Sequence, residues 1–191
     1  FDATSGEIII NGLPISMYKK EELNKNISIV LQKAIIFSGS IKDNILQGDA
    51  RASDLQISEA ASNAQALEFI DKKELKFEDE VYQKGANLSG GQKQRLSITR
   101  ALVSNPSLII LDDSTSALDA RSENRVKEAL GKEYKNTTQI IVAQKISSIV
   151  DMDEIIVMKE GKIEAVGTHK ELLSSCPTYI EIFDSQKDNG G

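Results

Sequence analysis

The apolar run at residues 108–111 (LIIL) constrains the fold more than any other stretch of this sequence. Strands with one exposed face alternate apolar and polar residues, whereas strands of a parallel sheet are covered on both faces and read as continuous apolar runs. Similar runs occur at residues 7–10 (EIII), 27–31 (ISIVL) and 139–143 (QIIVA). Because helical stretches separate them, the sequence predicts an α/β fold with a mainly parallel sheet flanked by helices. The 7–10 run is expected to be a buried strand that ends in an Asn-Gly turn.

Residues 53–105 interrupt this alternation and are predicted to form a helical subdomain inserted into a single domain of 191 residues. Ser53 and Gln56 have the spacing of a capping box, which marks the start of a helix. A further helix is expected over residues 89–104, because a proline follows shortly after and cannot continue it. A third helix is expected over residues 120–134, between two of the apolar runs.

The C-terminal part carries a hairpin signal and a final helix signal. Residues 154–158 and 162–167 are apolar-rich runs on either side of a Glu-Gly pair, which predicts two antiparallel strands. Thr168 and Glu171 are spaced as a capping box and are expected to begin the last helix. The polar tail at residues 184–191 is expected to be frayed.

Composition excludes several classes of protein. The hydrophobic fraction of 40% and charged fraction of 27% are ordinary for a globular chain. A net charge of -6 argues against binding to nucleic-acid phosphates, which requires a basic face. No apolar run approaches the length of a membrane span. The sequence begins at Phe1 rather than Met, so we expect it to be a piece of a longer chain.

Two adjacent carboxylates, Asp112 and Asp113, follow the 108–111 run directly. Ligands of parallel sheets bind beyond the carboxyl ends of the strands, so these acids are placed where a ligand would lie. One carboxylate could hold Mg²⁺ and the next could orient or deprotonate an attacking water. The alternative is an acid pair that only caps the following turn, and for two acids after a strand this alternative is the more common case.

The segment LSGGQKQR (88–95) predicts a loop that opens into a helix. Ser89 and Gln92 are spaced as a capping box, and Gly90 and Gly91 would let a ligand approach the backbone. The N-terminus of such a helix presents free N–H groups to an anion. A plain capped helix start is the alternative, although two glycines inside the cap disfavour it because glycine weakens a helix.

Taken together, these segments resemble the nucleotide-binding domain of ATP-binding cassette (ABC) transporters, over nearly the whole chain and in the same order. LSGGQ matches the signature of that family, LIILDD its Walker B strand and SALD its D-loop. The longer segments resemble those of ABC exporters. The matching stretches are ISIVLQKAIIFSGSIKDNI (27–45, the Q-loop region), VYQKGANLSGG (81–91, the X-loop), LSGGQ (88–92), LIILDD (108–113), SALD (116–119) and GTHKELL (167–173).

The resemblance implies an ABC-type P-loop NTPase fold in which ATP is sandwiched between two such domains. It implies that Gln32 and Asp112 serve Mg²⁺. It also implies that Asp119 lies at the interface between the two domains. The residues that would bind the partner's ATP are Ser89, Gly90, Gly91 and Gln92.

The chain departs from the family pattern at the phosphate-binding loop. No G-x-x-x-x-G-K-[ST] motif occurs in the 191 residues, so no loop is present to cradle the α- and β-phosphates. The first residues, FDATSGEIIINGLPI, resemble the segment that follows the Walker A helix of the family. We therefore expect an N-terminally truncated domain, of which the rest is a RecA-like core with C-terminal elements.

Two positions differ from active members of the family. Asp113 stands where they carry Glu, and its carboxylate is one methylene shorter. Gln144 stands where the switch histidine is expected, and an amide cannot carry a positive charge. Together these residues, the predicted catalytic pair, resemble the degenerate half of a heterodimeric ABC exporter.

The expected function is ATP binding and Mg²⁺-dependent hydrolysis that drives export across a membrane. The expected partners are a second nucleotide-binding domain, belonging to a different subunit, and a transmembrane domain in the same full-length chain. The domain is expected at the cytoplasmic face of the cell membrane, without a nucleic-acid partner. Two alternatives are open: a regulatory half that binds ATP without hydrolysing it, and a soluble ABC ATPase of DNA maintenance. The 191 residues show none of the long insertions or coiled coils of that last class.

Overall fold

The computed structural model describes residues 3–187, and the contacts among them divide the chain into two units after Ile140. The first unit contains, in chain order, β1 (Ile9–Ile10), β2 (Leu13–Pro14), α1 (Lys20–Asn26), β3 (Ile27–Val30), β4 (Gly39–Ser40), α2 (Ile41–Leu46), α3 (Asp54–Asn63), α4 (Leu67–Ile70), β5 (Glu80–Val81), α5 (Gly90–Leu102), β6 (Leu108–Asp112) and α6 (Ala120–Glu133). The division falls within β7 (Thr138–Val142). The second unit contains β8 (Ile155–Lys159), β9 (Lys162–Gly167), α7 (His169–Ser175) and α8 (Pro177–Lys187).

A parallel sheet with strand order β3-β6-β7 forms the centre of the first unit. β3 and β6 run parallel, with Val30 opposite Leu111. The apolar runs predicted at residues 27–31 and 108–111 therefore are strands, and the predicted α/β class is confirmed. The strand predicted at residues 108–111 extends one residue further than expected, because Asp112 is still part of β6.

The two faces of this sheet differ in burial. Val30 and Ile109 are fully buried. On the other face Ile29, which pairs with Ile110, is 56% exposed. In β7 the exposed residues also alternate, and Ile140 is 47% exposed. The prediction that both faces of each strand are covered is therefore wrong for β3, since Ile29 on one of its faces is more than half exposed.

The N-terminal strand is also not buried as predicted. Only Ile9–Ile10 form a strand, which pairs with Leu13–Pro14 as a hairpin. The predicted turn is confirmed, with positive φ angles of 48° at Asn11 and 80° at Gly12. Among the described residues no layer covers this hairpin, and Ile9 is 57% exposed.

Side-chain caps fix the starts of several helices. Ser53 accepts from the N–H of Gln56 at the start of α3, as predicted. Thr168 and Glu171 form the predicted capping box of α7. That helix is not the last one, however, because the next helix begins directly at Pro177 and continues to Lys187. Residues 184–187 of the predicted frayed tail are therefore helical, and residues 188–191 lie outside the described part.

Helix α2, which the sequence pattern did not predict, anchors the loop that follows β3. Ser40 and Asp43 form its capping box. The buried Asn44 holds both the N–H and the C=O of Phe37, at 3.0 and 2.9 Å. Gly48 follows the helix where a β-carbon would overlap the carbonyl oxygen of Arg100, so no other residue fits there without a shift of the backbone.

Residues 53–105 are mainly helical, as predicted, and contain α3, α4 and α5. The stretch also contains the short strand β5, which pairs antiparallel with β4. The contacts do not separate these residues from the rest of the first unit. The boundaries of an inserted subdomain therefore stay a prediction.

The second unit is the predicted hairpin packed on two helices. The turn residues Glu160 and Gly161 have φ angles of 49° and 74°. The small core of this unit consists of Ile146, Ile155, Val157, Leu172, Cys176 and Tyr179. The outer side of the hairpin is apolar and exposed, with Ile156 opposite Val166 and Met158 opposite Ile163.

Candidate functional site

Gln32 and Asp113 meet at the carboxyl end of the β3–β6 pair, although 81 positions separate them in the chain. The side-chain amide of Gln32 donates to Oδ2 of Asp113 at 2.9 Å. β3 ends two residues before Gln32 and β6 ends at Asp112, so the parallel pairing brings both chain segments to one edge of the sheet. The structure therefore brings together three residues predicted to form the site: Gln32, Asp112 and Asp113.

The backbone of Asp113 is in the left-handed region, with a φ angle of 44°. Residues other than glycine rarely adopt this conformation, and Asp and Asn do so more readily than most. The hydroxyl of Ser116 donates to the Asp113 carbonyl at 2.9 Å and closes the turn. Local strain of this kind is characteristic of functional positions, where the surroundings hold a side chain in a required direction.

The oxygen atoms at this edge fit Mg²⁺. Gln32 uses its N–H group on Asp113, so its amide oxygen is left as an acceptor. Mg²⁺ in nucleotide sites is held by one or two carboxylates, waters and substrate phosphates. Within residues 3–187 no group of three or more His, Cys, Asp or Glu side chains is arranged to hold a metal. The ion would therefore depend on nucleotide oxygens in addition to Asp112 and Gln32.

The predicted capping box at the start of α5 is present. The Oγ of Ser89 accepts from the N–H of Gln92 at 3.2 Å, and the Oε1 of Gln92 accepts from the N–H of Ser89 at 2.9 Å. The first-turn amides of Gly90 and Gly91 have no acceptor within the helix. A β-carbon at Gly90 would meet nothing within 4 Å, so the helix start is open to a ligand. This geometry suits an anion at the helix N-terminus.

Gly91 lies directly against the turn that follows β6. A β-carbon at this position would come within 3.2 Å of the carbonyl oxygen of Ala117. The segment of residues 88–92 and the segment of residues 116–119 are therefore neighbours within one chain. Any side chain at position 91 would push them apart by a few tenths of an ångström.

Asp119 acts as the N-cap of α6. Its carboxylate accepts from the N–H of Ser122 at 2.9 Å and from the hydroxyl of Ser122 at 2.8 Å. These bonds to the charged form lower the pKa of Asp119, with the backbone N–H as the larger cause. The structure thus gives Asp119 a local role that sequence reasoning missed, and its predicted role between two domains stays a prediction.

The lowered pKa predicts a pH dependence of stability. The ionised cap stabilises the fold above the ordinary Asp pKa, and this contribution is lost as the pH falls through the lowered pKa of the folded state. Asp119→Asn keeps a good N-cap but cannot titrate. Thermal unfolding measured from pH 6 to pH 3 should therefore show a steeper loss for the original chain than for Asp119→Asn. Parallel curves for the two proteins would contradict the role of the charged cap.

Gln144 belongs to the second unit, just beyond β7. Its main-chain carbonyl accepts from the side-chain amide of Gln186 at 2.8 Å, which ties this stretch to α8. The N–H of Ile146 donates to the other atom of the same amide, Oε1 of Gln186, at 2.9 Å. The side chain of Gln186 thus binds the backbone on both sides of Lys145. Its predicted catalytic role stays a prediction.

Sequence reasoning missed two residues that hold the segment after β3, Gln94 and Asn44. Both are buried, with exposed fractions of 2% and 1%, and both bind backbone atoms of the segment after β3. Both residues lie beside charged neighbours in the sequence, so no local signal marked them as buried. The sequence also could not show which carbonyl or amide each side chain would reach.

Comparisons with known proteins agree with this architecture. A bacterial Atm1-family ABC exporter, solved with ATP bound, superimposes with a TM-score of 0.93 at 33% sequence identity, over 97% of this chain and 32% of that one. The fold is thus that of an ABC transporter nucleotide-binding domain. The family described as ABC transporter matches residues 1–116, and this chain belongs to that family.

Curated relatives are longer proteins. A putative multidrug export ATP-binding/permease protein of Staphylococcus aureus is 42% identical over 186 residues, which cover 97% of this chain and 32% of the relative. The corresponding protein YgaD of Bacillus subtilis is also 42% identical, over 99% of this chain and 33% of its own length. The chain thus spans about a third of the length of these relatives. Among residues 3–187, no helix has the length and apolar character to cross a bilayer.

Proposed function

We propose that this chain is the ATP-binding and ATP-hydrolysing domain of an ABC exporter and that its signature residues complete the ATP site of a partner domain. The contact between Gln32 and Asp113 carries the proposal, because it joins a metal-ligand candidate to a water-positioning candidate at the ligand edge of a parallel sheet. Asp113 would orient the attacking water, and Gln144 would donate to the γ-phosphate. Phosphoryl transfer to water depends mainly on such positioning and on charge stabilisation.

The signature end of α5 would serve the second nucleotide. Its open first turn can donate N–H groups to a phosphate, while the capping box between Ser89 and Gln92 fixes the direction of the helix axis. Ser89 accepts one bond through its oxygen and still has a hydroxyl proton to donate. Asp119 would lie at the interface between the two domains, where its bonds to Ser122 hold the turn in shape.

We also propose that a preceding segment, which includes the phosphate-binding loop, covers the open apolar surfaces. The support is the exposed face of β3 at Ile29 and of the N-terminal hairpin at Ile8 and Ile9, all more than half exposed. Burial of apolar surface contributes about 25 cal/mol per Å². A strand and helix placed there would gain stability and would bring the missing phosphate-binding motif to the sheet edge.

The isolated 191-residue chain should therefore bind Mg²⁺-ATP weakly or not at all. Asp112 and Gln32 are proposed to bind Mg²⁺ together with nucleotide oxygens, but nothing in the sequence cradles the α- and β-phosphates. Titration calorimetry on the isolated chain measures this directly. A dissociation constant below about 10 μM, or roughly -7 kcal/mol, would mean that the phosphates bind elsewhere in the chain.

The proposed second partner is a transmembrane domain of the same full-length protein, which would place this domain at the cytoplasmic face of the membrane. Apolar side chains gather at one end of the β4–β5 pair, where Phe37 precedes one strand and Tyr82 follows the other. Both are about half exposed, as is Ile35. An exposed apolar group of this kind suits a protein partner. A nucleic-acid partner is not proposed, given the net charge of -6.

A regulatory, non-hydrolysing half of a heterodimer is the second candidate. It is favoured by Asp113 and Gln144, since both differ from the residues that resemblance to active exporters implies. ATPase assays on the full-length chain with and without its partner separate the two functions. Turnover by the full-length chain alone supports a hydrolysing domain, whereas turnover that requires the partner and is unchanged by Asp113→Asn supports the regulatory half.

A further inference from the structure

Gln94 connects the signature helix α5 to the segment that carries Gln32. Its side-chain amide donates to the carbonyl of Leu31, the residue before Gln32, at 3.1 Å. Gln94 is 2% exposed, and an amide at such depth is costly unless it is hydrogen-bonded. The buried amide of Gln94 therefore depends on this bond, since it has no ready access to water.

Two further side chains hold the same segment against α5. The hydroxyl groups of Ser28 in β3 and Ser104 just beyond α5 share a hydrogen bond of 3.2 Å. Arg100 donates to the carbonyl of Ile35, and its guanidinium lies 5.4 Å from the centre of the Phe37 ring. Helix α5 is thus tied to β3 and to the following loop at several points. Only the bond from Gln94 lies next to a predicted metal ligand.

We propose that Gln94 is a positioning residue for the nucleotide site of this chain: through the Leu31 carbonyl it sets the place of Gln32 and so the metal-binding geometry beside Asp113. The inference rests on the proposed function. The bond from Gln94 fixes the backbone, and the bond from Gln32 to Asp113 fixes the side chain. Gln32 is thereby constrained at both ends. Helix α5 begins at the signature, so a shift of the signature also shifts Gln32 in the other nucleotide site.

Replacement of Gln94 by a residue without a side-chain N–H should loosen Gln32 and leave the groups that bind the nucleotide unchanged. Gln94→Met keeps the length of the side chain and lacks the N–H group. Gln94→Leu also lacks the N–H group and, unlike an acid, cannot regain a donor by protonation. The second variant decides the question if the first fails to assemble. Groups that orient a metal ligand typically contribute tenfold to 100-fold to metal affinity.

Thr99→Val is the matched control. Thr99 lies on α5, is fully buried, and donates to the Arg95 carbonyl at 2.8 Å. Its replacement by Val removes one buried hydrogen bond from the same helix and changes nothing at Leu31. A general weakening of α5 would appear in this variant as well as in the Gln94 variants.

The test uses the purified full-length transporter with its partner and the photoreactive nucleotide 8-azido-ATP. Labelling of this chain, separated by electrophoresis, is measured against the Mg²⁺ concentration. Gln32→Ala should raise the Mg²⁺ needed for half-maximal labelling about tenfold, and Gln94→Met should do nearly the same. The double variant should be no worse than Gln32→Ala alone, because one residue acts through the other. Thr99→Val should match the original protein.

Each other outcome overturns the inference or the function on which it rests. If the two effects multiply in the double variant, Gln94 acts independently of Gln32. If both Gln94 variants label like the original, the bond to Leu31 does not position the metal site. If Thr99→Val shifts the Mg²⁺ requirement as much as Gln94→Met, the effect belongs to the helix as a whole. An original protein without Mg²⁺-dependent labelling contradicts the proposed function itself.

Discussion

Replacement of Ser89 by Arg in the full-length transporter is expected to abolish nearly all ATP hydrolysis. The change destroys the capping box with Gln92 and places a bulky cation at the open first turn of α5. This helix start is proposed to receive the γ-phosphate of the nucleotide held by the partner. Loss of a single preorganised donor to a developing charge costs on the order of 100-fold or more in rate. Steady-state release of phosphate by the assembled transporter measures the loss.

Two companion variants show whether the loss arises at this site. Ser89→Thr keeps both the cap and the hydroxyl, so it should retain most of the activity. Asp113→Asn should cost much less than Ser89→Arg, because the site that contains Asp113 is proposed to carry little turnover. Equal losses from Asp113→Asn and Ser89→Arg would show that the chain's own site carries the turnover and that the two sites are not divided as proposed.

Restoration of both unusual residues, by Asp113→Glu with Gln144→His, is expected to switch on hydrolysis at the chain's own site. The Asp113 carboxylate falls short of a Glu carboxylate by about 1 Å, a misplacement that can cost roughly 100-fold in rate. Gln144 can donate a hydrogen bond but cannot carry positive charge. Each single change should help little, since residues that act as a unit are not additive. The double variant should gain on the order of 100-fold, at the low end of what a positioned base contributes.

The Ser89→Arg background makes this gain visible. That change silences the site completed by the signature of this chain, so the remaining turnover belongs to the site of Asp113. ATPase rates are then compared for each single variant and the double variant. If the two single effects simply multiply, Asp113 and Gln144 are not parts of one mechanism. If the double variant gains nothing, a group other than Asp113 and Gln144 limits hydrolysis at the site that contains Asp113.

Local signals predicted the parts of the fold that are decided locally. The capping boxes at Ser53, Ser89 and Thr168 depend on residues three positions apart, and all three are present. The run before Asp112 became a parallel strand because its continuous apolar pattern suits burial in a sheet. The edge rule for parallel sheets placed Asp112 and Asp113 where a ligand would lie, whereas Gln32 was assigned by resemblance alone and its bond to Asp113 was not predicted.

The other features depend on contacts between distant segments. Asn44 and Gln94 resemble ordinary polar helix residues in the sequence, and their partners at Phe37 and Leu31 are set by tertiary packing. The run at residues 7–10 has the composition of a buried strand, but composition does not supply the layer that would bury it. The same limit applies to Ile29, whose apolar side chain stands on an open face.

The open face at Ile29 has a practical consequence for work with the chain in isolation. β3 is an edge strand of the sheet, and an exposed edge beside an apolar face is a template for pairing with another molecule. The purified chain should bind hydrophobic dyes, lose solubility as its concentration rises, and depend on detergent or a fused upstream segment to remain dispersed. In the cell the same surface would make an incomplete product a target for chaperones and proteases, so abundance, rather than catalytic rate, would be the first property to fall.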